Sequence, residues 1–206
     1  TERVITNLAN ELSKYYEVYI VNLFENVSVY YVNKNVKKIF LHKEKRRLRY
    51  TIMNDVIRLH RFIKSKDISV IFSIGKSSVP LVAALAKMNT KARYVFCEHS
   101  TLECRVFQKT NVYRKLYAFM QQLVINKCSD KIITLTKKEK NNYIAKYSID
   151  PNKIDYIYNF VDNGNSFAEK YNPKSKKIIS VGRVSYEKGY EYLIKVASIV
   201  FAKHRD

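Results

Sequence analysis

Apolar positions recur along the chain with two periods, one typical of helices and one typical of strands. Val4, Leu8 and Leu12 lie at helical spacing, and the β-branched run 18–21 that follows is typical of a buried strand. This pairing repeats. The pattern predicts strands at 36–41, 69–74, 93–97, 131–135 and 154–158, and helices around 52–63, 81–88, 112–127 and 138–147. Because strands alternate with helices, we expect βαβ units and a mostly parallel sheet that is covered on both faces.

The amino-acid composition of the chain changes after position 160. Residues 161–175 are crowded with Asp, Asn, Gly and Pro and hold few aliphatic side chains, which is typical of a linker. A strand-like run at 178–181 and a helical pattern over 189–203 then begin a new βα unit. A complete Rossmann-like domain needs on the order of 100–150 residues. We therefore predict a first domain over 1–160, a linker over 161–175 and the truncated start of a second domain over 176–206.

Composition indicates a folded and strongly basic protein. The 206 residues are 47% apolar and 27% charged, and 38 Lys and Arg against 18 Asp and Glu give a net charge of +20. This balance favours acidic partners such as nucleic acid, sugar-nucleotide phosphates or anionic lipid headgroups. The three cysteines have no CxxC spacing, so a disulfide framework and a zinc site are not indicated and a reducing compartment fits best. No run approaches the roughly 20 apolar residues that span a bilayer.

The sharpest motif is VGRVSYEKG at 181–189. A strand would deliver Gly182 and Arg183 to its carboxyl end, and Lys188 and Gly189 would open the following helix. Ligands of open α/β sheets bind in that crevice, where free backbone N–H groups and the helix dipole favour phosphate. Arg and Lys suit a pyrophosphate whose leaving oxygen gains charge as a bond breaks. On spacing alone, solvated loop cations are an equally good interpretation.

Four segments, in the same order along the chain, resemble family 4 of the retaining glycosyltransferases, whose two facing Rossmann-like domains form the GT-B fold. Segment 180–194 (SVGRVSYEKGYEYLI) resembles the start of their second domain, and segment 1–21 resembles the helix and strand that follow their glycine-rich opening loop. Segment 129–143 (SDKIITLTKKEKNNY) resembles their alanine–aspartate–lysine strand and the helix after it. Segment 157–163 (IYNFVDN) resembles the end of their first domain.

The resemblance implies roles for four residues. Arg183 and Lys188 would grip the diphosphate of a nucleotide sugar, with UDP-hexose as the expected donor and no divalent metal or other cofactor. His99 matches the histidine at the donor sugar, where it would act as the catalytic residue by bonding a sugar hydroxyl; the alternative is an interface histidine. Glu2 matches the glutamate after the opening glycines, although a carboxylate favoured by the helix dipole is an equal alternative.

The sequence departs from this family in several places. Ser129 replaces the usual alanine, Thr136 a serine, Tyr158 a proline and Phe160 a glycine. The opening glycines and the paired glutamates of the second domain are absent, and both ends are expected to belong to something longer. We therefore expect that this polypeptide alone has no transferase activity. The remaining histidines have no partner at ligand spacing, so surface or interface positions are expected for them; they are His42, His60 and His204.

The positive charge is concentrated in two blocks of the first domain. Residues 34–66 carry 12 Lys and Arg against 2 acids, and residues 105–153 carry 11 against 3. Both blocks interleave cations with Tyr, Phe and Leu, which suits an anionic membrane surface or an acceptor with a lipid diphosphate. Solvated lysines of a Lys-rich, Asn-rich composition are an equal alternative. We expect a cytoplasmic protein, peripheral at the inner face of the plasma membrane.

The main hypothesis is an enzyme fragment that transfers a hexose from a nucleotide sugar, with retention, to a glycan or lipid-linked acceptor in cell-surface polysaccharide biosynthesis. A basic nucleic-acid-binding α/β domain is one alternative, although the sequence lacks an RNA-binding sheet signature, zinc spacing or a basic-helix heptad, so nucleic acid is not expected as a partner. A catalytically dead glycosyltransferase-like partner subunit is the other alternative.

Overall fold

Parallel strands and helices alternate through the first 160 residues of the computed structural model. The structure describes residues 2–24, 30–43, 48–75, 78–99, 112–160, 178–184 and 188–203. The chain divides into two compact units, Thr1–Phe160 and Val161–Asp206. Each unit is described separately below.

The strands of the first unit form two parallel sheets. One sheet pairs β1 (Val18–Phe24) with β2 (Val36–His42). The other contains β3 (Val70–Ile74), β4 (Arg93–Glu98), β5 (Lys131–Thr134) and β6 (Ile154–Tyr156), hydrogen-bonded in that order. Each strand lies where the alternation predicted it, although β6 ends two residues earlier than expected.

Helices connect the parallel strands of the larger sheet, as is usual for parallel pairing. The first unit contains α1 (Glu2–Leu12), α2 (Leu48–Ser65), α3 (Ser78–Lys87), α4 (Val112–Cys128) and α5 (Lys137–Tyr147). The second unit contains α6 (Tyr190–Lys203). In the larger sheet, α3, α4 and α5 each connect one strand to the next. The predicted α/β class with a Rossmann-like parallel sheet is therefore confirmed.

Strand β4 lies inside the larger sheet and is the most buried strand of the first unit. Tyr94 and Phe96 are 0% and 1% exposed and belong to the main apolar cluster with residues of α3, α4, α5, β5 and β6. Cys97 and Glu98 are also buried. A near-continuous apolar strand of this kind is expected where helices cover both faces of a parallel sheet.

Asp130, in the turn between α4 and β5, ties three elements together. Its carboxylate accepts the backbone N–H of Tyr94 at 2.7 Å and the ammonium of Lys87, on α3, at 2.8 Å. Its own backbone N–H donates to the Tyr94 carbonyl at 2.8 Å. Burial alone would raise the pKa of Asp130, but the hydrogen bonds from Lys87 and Tyr94 outweigh it and lower the pKa below its ordinary value of 3.8.

Helix α4 is anchored by polar side chains at its carboxyl half. Gln122 and Asn126 are 5% and 4% exposed, and the Tyr143 hydroxyl of α5 joins them. The Gln122 amide donates to Tyr143 Oη at 2.6 Å, and that hydroxyl donates to Asn126 Oδ1 at 2.7 Å. Because burying a polar group costs less free energy when it is hydrogen-bonded, these bonds favour the observed burial of this face of α4.

The second unit is built around α6, and the strand predicted at 178–181 is absent. The structure assigns no secondary structure to 178–181, and its aliphatic side chains are strongly exposed, with Val181 at 88%. A strand is defined by hydrogen bonds to a neighbouring strand, and none pairs with this segment within the described residues. Residues of the predicted linker over 161–175 lie outside the described residues.

No helix in the described part of the chain is long and apolar enough to cross a membrane.

Replacing Asp130 by Asn is expected to lower the free energy of unfolding by about 1 kcal/mol at neutral pH, because a charge-assisted bond is weakened at a half-exposed site. Since its folded-state pKa is lowered, this stabilisation is present above the unfolded-state pKa and is lost as the pH falls through the folded-state value. Urea denaturation followed by circular dichroism should show a difference between wild type and Asp130→Asn that shrinks below about pH 4.

Asp67→Asn is a matched control, because Asp67 has a left-handed φ of 47° that Asn also tolerates. This variant should follow the pH dependence of the wild type. If the loss in Asp130→Asn were the same at neutral pH and at about pH 3, the carboxylate charge would have no role in joining these elements.

Candidate functional site

The carboxyl ends of β3 to β6 lie level along one edge of the larger sheet. The parallel register pairs Ile74 with Cys97, Glu98 with Thr134, and Thr134 with Tyr156. The residues that follow each strand therefore emerge at the same edge. Ligands of open α/β sheets bind outside the carboxyl ends of the strands. This edge is the candidate site of the first unit.

His99 directly follows β4 at this edge and is half-buried. Burial lowers the pKa of His99 from its ordinary value of 6.5, because the charged imidazolium loses hydration. At neutral pH the ring is therefore uncharged and offers one N–H donor and one acceptor nitrogen. Such a ring suits a hydroxyl group better than it suits an ion pair with phosphate. The structure thus places His99 after β4, as the sequence predicted.

The two residues before His99 are withdrawn from solvent. Cys97 is 7% exposed, and desolvation raises the pKa of its thiol to about 11, so it stays protonated and a poor nucleophile at neutral pH. Glu98 is 2% exposed. His99 is thus the first side chain after the β4 core that solvent, or a ligand, can reach.

Gly75 shapes the loop after β3 and was missed by the sequence analysis. Its φ is 100°, in the region that favours glycine, and its backbone N–H donates to the Cys97 carbonyl at 3.1 Å. This bond turns the chain over the end of β4, close to where His99 begins. Two features of the sequence could have identified Gly75: the chain has only four glycines, and this one directly follows a predicted strand.

The segment after β5 has a structural role at the same edge. Thr136 is the N-cap of α5, and its hydroxyl oxygen accepts the backbone N–H of Glu139 at 3.1 Å. Thr134 is fully buried, with its hydroxyl 3.2 Å from the Asp155 carbonyl. These contacts explain why threonine serves where a serine is usual, since either hydroxyl can cap the helix.

Glu2 is the first residue of α1 and is exposed. A carboxylate in the first turn of a helix interacts favourably with the helix dipole, which accounts for its presence there without a ligand. A contact between Glu2 and a donor stays a prediction. Glu2 and His99 belong to the first unit, whereas Arg183 and Lys188 belong to the second.

In the second unit, Gly182 and Gly189 flank the segment before α6 that carries the candidate cations Arg183 and Lys188. A Cβ at Gly182 would lie 2.9 Å from the Tyr190 hydroxyl oxygen, so a larger residue would displace that ring. Gly189 has a φ of 66° immediately before α6. Arg183 and Lys188 are both exposed, and residues 185–187 between them lie outside the described part. Both cations therefore flank the N-terminal end of α6 in sequence, where backbone N–H groups are free.

The expectation for the other histidines was wrong for His42. His42 is 8% exposed and its Nε2 contacts the carboxylate of Asp55, which also accepts the Thr51 hydroxyl at 2.9 Å. This group joins the end of β2 to α2, a pairing that spacing in sequence did not reveal. His60 is half-buried with Nδ1 2.8 Å from the Ala86 carbonyl. His204 lies outside the described residues.

Comparison with known proteins agrees with this architecture. The chain is 27% identical over its whole length to an uncharacterised glycosyltransferase of Haemophilus influenzae, of which it covers 56%. It is 24% identical, over 95% of its length, to the amylovoran biosynthesis glycosyltransferase AmsD of Erwinia amylovora, of which it covers 53%. The chain thus spans about half the length of these curated relatives.

A solved structure and a family profile give the same result. The crystal structure of a glycosyltransferase from Rickettsia africae aligns with a TM-score of 0.55 at 19% identity, over 78% of this chain and 40% of that one, which supports the fold. The profile described as Glycosyltransferase Family 4 matches residues 1–164. Because this profile matches most of the chain, and the parallel strands and ordered motifs agree with it, the chain belongs to glycosyltransferase family 4.

Proposed function

We propose that the protein to which this chain belongs transfers a hexose from a nucleotide sugar to an acceptor hydroxyl, with retention at the anomeric carbon. The observation that carries the proposal is the position of His99, half-buried and uncharged at the carboxyl edge of the larger sheet. Family membership supports the reaction class. UDP-hexose is the proposed donor, without a metal or other cofactor.

His99 would act on the donor sugar. In glycosyl transfer the bond from the anomeric carbon to the diphosphate oxygen breaks, and the sugar passes through an oxocarbenium-like transition state. A neutral imidazole can donate its N–H to, or accept a hydrogen bond from, a sugar hydroxyl, and its partial negative charge favours the developing positive charge. The lowered pKa supports this role, since an imidazolium would repel that charge.

Arg183 and Lys188 would hold the diphosphate. The leaving oxygen gains negative charge as the glycosidic bond breaks, and a guanidinium fork with a mobile ammonium can offset it. The 14-residue helix α6 begins directly after Gly189 and adds the positive end of its dipole. Glu2 is a further proposed contact, at the opening of α1.

The proposed acceptor is a glycan or a lipid-linked diphosphate in cell-surface polysaccharide biosynthesis, at the cytoplasmic face of the plasma membrane. The name of the Erwinia relative, which places it in amylovoran biosynthesis, supports this setting. The basic blocks at 34–66 and 105–153 suit an acidic acceptor.

His99→Ala in the complete protein is expected to lower kcat about 100-fold or more, with a smaller change in the KM for the donor, because the interaction strengthens in the transition state. His99→Asn should recover part of the rate, since the amide can still donate a hydrogen bond. The rate due to His99 should be constant near neutral pH and fall only as the pH drops below the ordinary histidine value of 6.5. Equal loss in both variants would argue against a hydrogen-bonding role.

Arg183→Gln and Lys188→Gln in the complete protein should each weaken binding of UDP and of UDP-hexose about tenfold or more, because each removes a charge-assisted bond to phosphate. Isothermal titration calorimetry measures the affinity. Lys195→Gln is the matched control, because Lys195 is exposed on α6 but lies beyond its first turn. An equal loss of affinity in Lys195→Gln would show that the effect comes from general electrostatic attraction and not from specific contacts with the diphosphate.

The 206-residue chain alone is expected to show no sugar transfer and no tight nucleotide-sugar binding, because it lacks the paired glutamates that the resemblance places around the donor. A radiolabelled sugar-transfer assay with the isolated chain and, in parallel, the complete protein measures this. Detectable transfer by the isolated chain would refute the expectation.

A further inference from the structure

The amino-terminal half of α4 is exposed and rich in apolar side chains. Every side chain that the structure describes between positions 112 and 120 is exposed. Five apolar residues form what we call the α4 ridge: Leu116, Tyr117, Phe119, Met120 and Leu123. Leu116 and Met120 are 58% and 53% exposed, one helical turn apart. A patch of this kind on the surface of a folded protein indicates an interaction site.

Contacts with α5 hold the ridge in its exposed position. Buried Gln122 and Asn126 anchor the next turn of the helix through Tyr143. Phe119 stacks on Tyr147 of α5, with ring centroids 5.8 Å apart. Gln122 and Asn126, together with the core residue Ile125, occupy the buried face of the helix, and the ridge side chains lie outside that face. Turning the helix to bury the ridge would break the triad of Gln122, Asn126 and Tyr143, so exposure is built into the fold.

Two cations, Lys115 and Lys146, lie beside the ridge. Helices α4 and α5 together contain seven Lys and Arg and a single acidic residue, Glu139, which is buried. Lys115 is exposed beside Leu116. The Lys146 ammonium lies 5.5 Å from the centre of the Tyr147 ring, which in turn stacks on Phe119. Apolar and positively charged groups thus share one surface, with no exposed carboxylate on either helix to oppose them.

We propose that the α4 ridge inserts into the headgroup region of an anionic lipid bilayer. Leu, Met and aromatic side chains would enter the boundary between headgroups and acyl chains, while Lys115 and Lys146 pair with lipid phosphates. A helix that binds a bilayer through one apolar and basic surface lies in the interface plane, so this is the expected orientation of α4. The complementary charge argues for an anionic lipid surface, and the inference does not require the proposed transfer reaction.

The first experiment uses a single tryptophan as a depth reporter, because the chain contains no Trp. The emission of Tyr117→Trp should shift to the blue on addition of vesicles of phosphatidylcholine and phosphatidylglycerol, and brominated acyl chains should quench it. Pure phosphatidylcholine vesicles should produce a much smaller shift. Tyr15→Trp, at a 78% exposed position between α1 and β1, is the control and should not respond. A Tyr117→Trp emission that is unchanged by anionic vesicles overturns the proposal.

The second experiment compares two matched double substitutions by vesicle sedimentation at low salt. Leu116→Ser with Met120→Ser should weaken binding to anionic vesicles about tenfold or more, since each loses an inserted aliphatic side chain. Val196→Ser with Val200→Ser, an exposed pair at the same spacing on α6 and outside both basic blocks, should leave binding within about twofold. Circular dichroism verifies the fold of both variants. Equal losses in both variants, or equal binding of wild type to neutral and anionic vesicles, overturn the proposal.

Two other occupants of the ridge are tested with the same proteins. A single-stranded oligonucleotide that binds wild type, and whose binding falls with the α4 double substitution while vesicles do not bind, would assign the ridge to nucleic acid. A dimer in sedimentation equilibrium that dissociates with the same substitution, again without vesicle binding, would assign it to a second copy of the chain. Either result overturns insertion into lipid.

Discussion

The burial of β4 between β3 and β5 is the constraint on which the position of His99 depends. Inside this strand the Tyr94 hydroxyl lies 2.6 Å from the Ser73 hydroxyl and donates to the Pro80 carbonyl at 3.0 Å, so the ring is held from both β3 and α3. Burial raises the pKa of Tyr94 far above its ordinary value, and the phenol stays a hydrogen-bond donor. With its start bonded to Asp130 and its middle locked in the core, β4 delivers its last residues to a fixed point of the sheet edge.

Most of the first unit could be predicted from sequence because its strands and helices follow the two hydrophobic periods. Tyr94, Phe96, Ile132 and Ile154 are apolar and fully buried, so the pattern and the packing agree. The pattern failed where side chains interact across elements. Nothing in the spacing of His42 and Asp55 shows that they meet in the core. Likewise, the burial of Gln122 and Asn126 depends on the Tyr143 hydroxyl, which lies 21 and 17 residues further along the chain, respectively.

The candidate site was predictable in part, for a different reason. His99 could be identified because the end of a parallel strand is a general location for ligands, and the resemblance singled out the same residue. Gly75 was not identified from the sequence because it acts through its backbone conformation and has no functional group. The segment 178–181 has the composition of a strand, yet a strand also needs neighbours that no local pattern supplies. Local sequence thus specifies the site more reliably where the sheet around it is complete.

Strands β1 and β3 are each paired along one side only in the part of the chain that the structure describes. On β3, Val70 and Phe72 are 45% and 46% exposed. Edges of this kind present N–H and C=O groups on which another extended chain can align, which is the usual origin of aggregation. The net charge of +20 keeps copies of the chain apart, and added salt screens that repulsion. The basic composition therefore also protects the open sheets, and the colloidal stability of the chain depends on ionic strength.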